Sequence, residues 1–261
     1  MKIKLYLQQL QKLVPGVFLE RMQYIHSSLI MRWILLRGSQ PLTFNQKSAM
    51  VFSPHQDDET FGCGGMIACK CEQGIPVIVV FITNGQGSGD IDTESSNKII
   101  QIRKQEAIKA LNILGVQTSA IHFLDKADGG LQALKTAEKQ EVIAQISELL
   151  QHYQPEEVYV PHSKDCHRDH EATYHLVKTA IQQANIKVDL LQYPIWLFWR
   201  SPLFIMLKLS DIAAAYSFSI TSVQQKKNQA IAAYTSQLTS LPHGFVNRFL
   251  GAYEIFFKVE S

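Results

Sequence analysis

From residue 48 onward, short β-branched apolar runs alternate with longer stretches in which apolar positions recur every three or four residues. AMVFS at 49–53, VIVVFIT at 77–83, AIHFL at 120–124, EVYVP at 157–161 and VDLLQYP at 188–194 have the length and character of buried strands. Between them, 60–73, 97–114, 136–152 and 169–184 carry helical spacing, as Ile99, Ile102, Ala107, Ala110, Leu111 and Leu114 show. Gly115 suits a helix C-cap, and Pro155 stands where a helix cannot continue. Strands joined by helices of this length need parallel crossovers, so the pattern predicts an α/β protein, a Rossmann-like three-layer sandwich with a mostly parallel sheet. Past 194 the pattern weakens to a strand near 213–220, a helix at 221–236 and a final strand at 252–259.

Residues 1–47 stand outside this alternation and read as an N-terminal helical extension to a domain over 48–261. The apolar stretch 13–36 is interrupted by Glu20, Arg21, His26 and Arg32, so no run reaches the roughly 20 apolar residues that a spanning helix needs. It also lacks the order of segments that marks a secretory signal. The plain expectation is a helix packed on the domain. The sharper alternative is peripheral membrane contact, by this segment together with IWLFWRSPLFIML at 195–207.

Composition excludes some classes. With 46% hydrophobic and 18% charged residues and a formal net charge of +2, the 261-residue chain can bury a substantial core and is not disordered. Twenty-five basic against 23 acidic residues is too even a balance for a dedicated nucleic-acid binder. Cys63, Cys69, Cys71 and Cys166 have no paired CxxC spacing, which suggests a reducing, cytoplasmic compartment.

In open parallel sheets, ligands gather beyond the carboxyl ends of the strands. Two polar clusters fall there: SPHQDDETFGCGG at 53–65, after the first strand, and PHSKDCHRDH at 161–170, after the fourth. His55, Asp57, Asp58 and Glu59 crowd three carboxylates into one turn, a repulsion that a cation relieves. The second cluster adds His162, Asp165, His167, Asp169 and His170, and mixed imidazole and carboxylate ligands suit zinc. Each cluster alone fits an exposed turn or helix start. Together, in matching topological positions, they favour a site.

HQDDE followed by FGCGG, with DCHRDH downstream, resembles the PIG-L/LmbE family of zinc-dependent N-acetylglucosaminyl deacetylases, whose pattern is HPDDE…GCGG and HxDH. Weaker echoes follow in order: TNG at 83–85, RKQEAIKALNILG at 103–115, FLD at 123–125 and KKNQAIAAYTSQ at 226–237. The resemblance implies that His55, Asp58 and His170 bind Zn2+, or another divalent ion, and that Asp57 is the general base. It further implies that His167 stabilises the oxyanion with Asp169 orienting it, while Arg103 and Asp125 contact substrate. For Arg103 a surface salt bridge is the competing account, and for Asp125 a loop cap.

Gln56 and Arg168 replace two prolines of the family pattern, and neither change removes a ligand or the base. Gly62, Gly64 and Gly65 lack the GxGxxG spacing of a dinucleotide loop and suit close helix packing instead. Cys63 and Cys166 read as packing residues, and His162 as a group beside the ligands or a substrate contact. The expected activity is hydrolysis of the acetamide of an N-acetylated amino-sugar conjugate. The alternatives are another N-acyl substrate, or a carbohydrate-binding domain without turnover. Aromatic residues 193–199 fit a wall of the substrate cleft, contact with a lipid-linked sugar, or ordinary core.

Overall fold

The computed structural model describes residues 15–87, 93–200, 212 and 214–259. Eight strands form one sheet: β1 (Ser39–Pro41), β2 (Ala49–Ser53), β3 (Val77–Thr83), β4 (Ile121–Lys126), β5 (Glu157–Pro161), β6 (Asp189–Tyr193), β7 (Ala215–Ser219) and β8 (Tyr253–Lys258). The described helices are α1 (Gly16–Trp33), α2 (Asp58–Glu72), α3 (Thr93–Leu114), α4 (Thr136–Tyr153), α5 (Arg168–Ala184), α6 (Leu197–Arg200), α7 (Gln224–Ala232), α8 (Thr235–Leu238) and α9 (His243–Asn247).

Period-two alternation divides the strands between two cores. Ala49 and Val51 of β2, with Val77, Val79 and Phe81 of β3, face α2, α3 and α7. Met50 and Phe52, with Ile78, Val80 and Ile82, face α4 and α5 on the other side. Because both faces are covered, β2, β3 and β5 are buried along their whole length, and their sequences run apolar without a break. The result is the expected three-layer sandwich.

The strand order is β1-β7-β8-β6-β5-β2-β3-β4. From β2 the chain winds through β3 to β4 in one direction, then crosses back so that β5 lies on the other side of β2. The crevice between β2 and β5 is therefore the switch point, and both polar clusters leave the carboxyl ends of those two strands.

Two features at the far edge of the sheet add to the sequence reading. β8 runs antiparallel to both β6 and β7, and β1, a three-residue strand with no apolar signal, pairs parallel with β7. The expected helix at 221–236 divides at Ala233–Tyr234 into α7 and α8. Of the aromatic segment at 195–207, residues 201–207 lie outside the described residues, as do residues 1–14 of the N-terminal extension.

The glycines of α2 permit contacts that a side chain would block. A Cβ on Gly62 would stand 2.3 Å from the Tyr193 ring, and one on Gly65 would stand 2.3 Å from Ile220. Glu254 of β8 accepts the amides of Gly65 and Met66 and pairs with Lys227 of α7, which also donates to the Phe61 carbonyl. The 226–237 echo thus fastens α2 beside the site.

Candidate active site

Two loops converge at the switch point. After β2, Gln56 is buried and donates to the Thr83 carbonyl (2.8 Å), tying the turn to β3. Asp57 then takes φ 146°, a conformation that costs a non-glycine residue energy and commonly marks functional positions. Asp58 begins α2. After β5, His167 caps α5 with extended backbone, and Asp169 and His170 enter the site from its first turn.

His55 Nδ1 stands 3.0 Å from Asp58 Oδ2, His170 Nε2 stands 3.1 Å from the same oxygen, and the two nitrogens are 3.4 Å apart. A tetrahedral ion with bonds of about 2.0–2.1 Å holds its donor atoms roughly 3.3 Å apart, so this donor set fits zinc. Two overlapping groups also bring one donor atom each within 4.8 Å: His55, His167 and His170, and His55, Asp128 and Asp169. The ring orientations favour the set of His55, Asp58 and His170. His170 directs its other nitrogen to Asp165 Oδ2 (2.7 Å), and His55 directs its Nε2 to Asp128 Oδ1 (3.1 Å) and Asp169 Oδ2 (3.3 Å). Metal-bound histidine is characteristically held in this way by a carboxylate on its far nitrogen.

The electrostatics follow from this crowding. Burial alone would raise the Asp58 carboxyl, but His170 and His55 outweigh it and hold its pKa well below the carboxylate range. Burial and the adjacent Asp58 charge push Asp57 well above that range, with His55 pulling the other way. Burial opposes protonation of His170, yet Asp58 and Asp165 overcome it and raise its pKa to about 9. His55 is raised well above its ordinary value against its own burial, by Asp128, Asp169 and Asp58. Burial, then the neighbouring His170 and His55, lowers His167 to about 4.

His55, Asp57, Asp58 and His167 line a cleft of about 370 Å³ together with Arg103, Asp128, Trp196, Gln237 and Phe245. Arg103 Nη1 lies 4.0 Å from Asp128 Oδ2. Opposite, Trp196 stacks on Phe245 with centroids 4.2 Å apart.

Two expected contacts lie elsewhere. Asp125 sits outside the cleft lining: at φ 54° it turns to solvent and pairs with Lys104 at 2.6 Å. The chain returns over the cleft three residues later, so the acid that reaches His55 is Asp128. Asp169 is buried and accepts the amides of Gly129 (2.7 Å) and Leu131 (3.1 Å) besides facing His55, so its carboxylate orients His55 and the 129–131 loop rather than His167. The Nδ1 of His167 is buried without a hydrogen-bond partner.

His162 packs its ring against Phe257 (4.8 Å), and its Nδ1 accepts the Lys164 amide. Cys63 is fully buried, which raises its thiol well above the ordinary value and makes it inert. Arg168 is exposed.

Asp128 and Asp165 were without assigned roles in the sequence. Asp165 is fully buried and accepts the amides of Ile195 (2.9 Å), Trp196 (3.0 Å) and Leu197 (2.9 Å) while holding His170. It joins a candidate ligand to the aromatic wall. The signal available was its place inside the second polar cluster, but its partners lie thirty residues on.

Residues 50–181 match the family described as PIG-L, GlcNAc-PI de-N-acetylase. Among curated proteins, 4-oxalmesaconate hydratase of Pseudomonas putida is 30% identical over 153 residues, which is 55% of this chain and 55% of that protein. Diacetylchitobiose deacetylase of Thermococcus kodakarensis is 33% identical over 95 residues, 36% of this chain and 34% of that one. The matches thus span about a third to a half of these relatives' lengths. Among solved structures, N,N'-diacetylchitobiose deacetylase of Pyrococcus horikoshii superposes with a TM-score of 0.61 at 22% identity, over 89% of this chain and 90% of that chain, a likeness of fold.

Proposed function

The chain belongs to the PIG-L family of de-N-acetylases, and from that membership we propose that it hydrolyses the acetamide of an N-acetylated amino sugar carried on a glycoconjugate. The observation that carries this reading is the convergence of His55 Nδ1, Asp58 Oδ2 and His170 Nε2 within 3.4 Å of one another in a cleft that Asp57 also lines. Those three residues would hold a divalent ion, with zinc the best match to two imidazoles and a carboxylate. When bound, such an ion lowers the pKa of a coordinated water toward neutrality and polarises a carbonyl.

The chain's own residues do the rest. Asp57 lines the same cleft without being needed as a ligand, which leaves its carboxylate for the general base. It takes a proton from the attacking water and returns it to the departing amine. An N–H of His167 donates to the acetyl oxygen as negative charge develops there. Asp165, Asp128 and Asp169 fix the imidazoles of His170 and His55. Arg103 hydrogen-bonds sugar hydroxyls, and Trp196, its ring stacked on Phe245 and covered by the Arg200 guanidinium, forms part of the cleft wall.

Amine release from a panel of N-acetylglucosamine conjugates, measured for the native chain and for Asp57→Asn, tests the reading. Absence of amine release from every conjugate would sink it, and equal rates from the two proteins would remove Asp57 as the base. A second reading, addition of water to an unsaturated acid, is favoured by the match to the Pseudomonas hydratase. Product analysis separates the two, since hydration of a double bond releases no amine.

A further inference from the structure

Helix α1 is apolar on two sides. Ser27 and Ile30, with Ile34 just beyond the helix, are buried, the two isoleucines against Leu197, Phe198, Ile255 and Phe257. Phe18, Met22, Ile25 and Leu29, spaced i, i+4, i+7 and i+11, form a second stripe in which each residue is 48–62% exposed. Leu36 extends it at 74% exposed. Isolated exposed apolar residues are ordinary, but a continuous row of this kind marks an interaction surface.

Charge identifies the occupant. Arg21, Arg32 and Arg37 are exposed, the first two beside the stripe on the helical wheel, while the one acid of the segment, Glu20, is half-buried. Residues 1–47 hold seven of the chain's 25 Lys and Arg and one of its 23 Asp and Glu, which leaves this segment at +6 and the remainder at −4. A second copy packed through the same face would set the exposed Arg21, Arg32 and Arg37 against their own equivalents, since a two-fold interface apposes each patch with itself. An anionic bilayer offers hydrocarbon to the stripe and negative headgroups to its arginine flank. No described helix is long and apolar enough to cross a membrane.

We propose that α1 and the turn that follows it lie flat on an anionic lipid surface through Phe18, Met22, Ile25, Leu29 and Leu36. The face is joined to the cleft through one short contact. The rings of Tyr24 and Trp199 close over Gly244, and the next residue, Phe245, is the cleft residue stacked on Trp196. If the deacetylase reading holds, this seating brings the cleft to sugars borne on lipid.

The test is co-sedimentation of the full chain with mixed phosphatidylglycerol–phosphatidylcholine vesicles and with pure phosphatidylcholine vesicles. Binding is expected to the mixed vesicles and to weaken as salt rises. Replacing Arg21, Arg32 and Arg37 by Gln lowers the partition about a hundredfold. Replacing Phe18, Met22 and Leu29 by Ser abolishes it, with the melting temperature held because all six positions are exposed. The proposal is overturned by absence of sedimentation with mixed vesicles, by binding that neither variant changes, or by a dimer that the Ser variant dissociates while no vesicle binding is seen. None of these outcomes depends on turnover, so failure of the enzymatic reading leaves the result intact.

Discussion

The floor of the cleft and the outer face of α1 invert the usual distribution of side chains in opposite senses. On the floor, Asp58, Asp165, Asp169 and His170 are buried; on α1, Phe18, Met22, Ile25 and Leu29 are exposed. The first inversion is offset inside the chain, because nearly every buried carboxylate oxygen there meets an imidazole or a backbone amide. The second has no such partner among the described residues. A site that binds a small ion can be completed by its own shell, whereas an apolar stripe is completed only by another surface.

Asp57→Asn keeps the volume of the side chain and removes the proton acceptor. Loss of a positioned general base costs roughly 10²–10⁴ in rate. We expect amine release to fall by that factor, with metal content unchanged by elemental analysis because Asp57 is outside the proposed ligand set. Retained activity would transfer the base to another group, and lost metal would place Asp57 among the ligands.

Metal removal gives a pH signature as well as a loss of activity. Without the ion, His170 is raised from 6.5 to about 9, so it binds its proton more tightly in the folded chain than in the unfolded one. That contribution is complete below pH 6.5 and is lost as the pH rises toward 9. It amounts to about 3 kcal/mol. The chelated protein should therefore lose melting temperature across that window. The zinc-loaded protein, whose His170 must be neutral to ligate, should lack the loss. Parallel melting profiles for the two forms would contradict the ligand assignment.

Asp165→Asn is expected to act more gently than loss of the base. The amide can still accept from the Ile195–Leu197 turn, but it no longer favours the His170 tautomer with Nε2 toward the ion. Such changes typically cost 10–100-fold in metal affinity. Competition against a chromogenic chelator measures it. Asp165→Ala goes further and strands three amides, so it should destabilise the fold by about 3–5 kcal/mol. An Asn variant with native affinity would reduce Asp165 to a turn anchor.

What the sequence made legible follows the reach of each interaction. The five parallel strands and their helices were readable because buried β-branched runs and helical spacing are local patterns. His55, Asp58 and His170 were readable because the strand-end rule brings two local motifs together at one crevice. β1 was not, since SQP has neither length nor apolar character and gains its pairing only from β7. Asp128 was hidden for a related reason. Asp125 follows the strand directly and draws the eye, but the left-handed turn at that residue sends it to Lys104 and lets the chain return over the cleft at Asp128. Sequence adjacency of Asp169 to His167 says nothing of the 129–131 amides that hold its carboxylate.

The smallest effect is expected at Asp125 itself. Its carboxylate is half-exposed and its ion pair with Lys104 is a surface one, worth at most about 1 kcal/mol after solvent screening. Asp125→Asn keeps a residue type that tolerates the left-handed conformation, so the turn should persist. We expect rates on every N-acetyl conjugate within a factor of two of native, alongside a clear loss for Asp128→Asn, which removes the charge facing His55 and Arg103. The pair of variants decides which acid of this loop serves the cleft. Equal losses would mean that Asp125 reaches the substrate after the loop rearranges, and a larger loss at Asp125 would return the substrate contact to the position that the family resemblance implies.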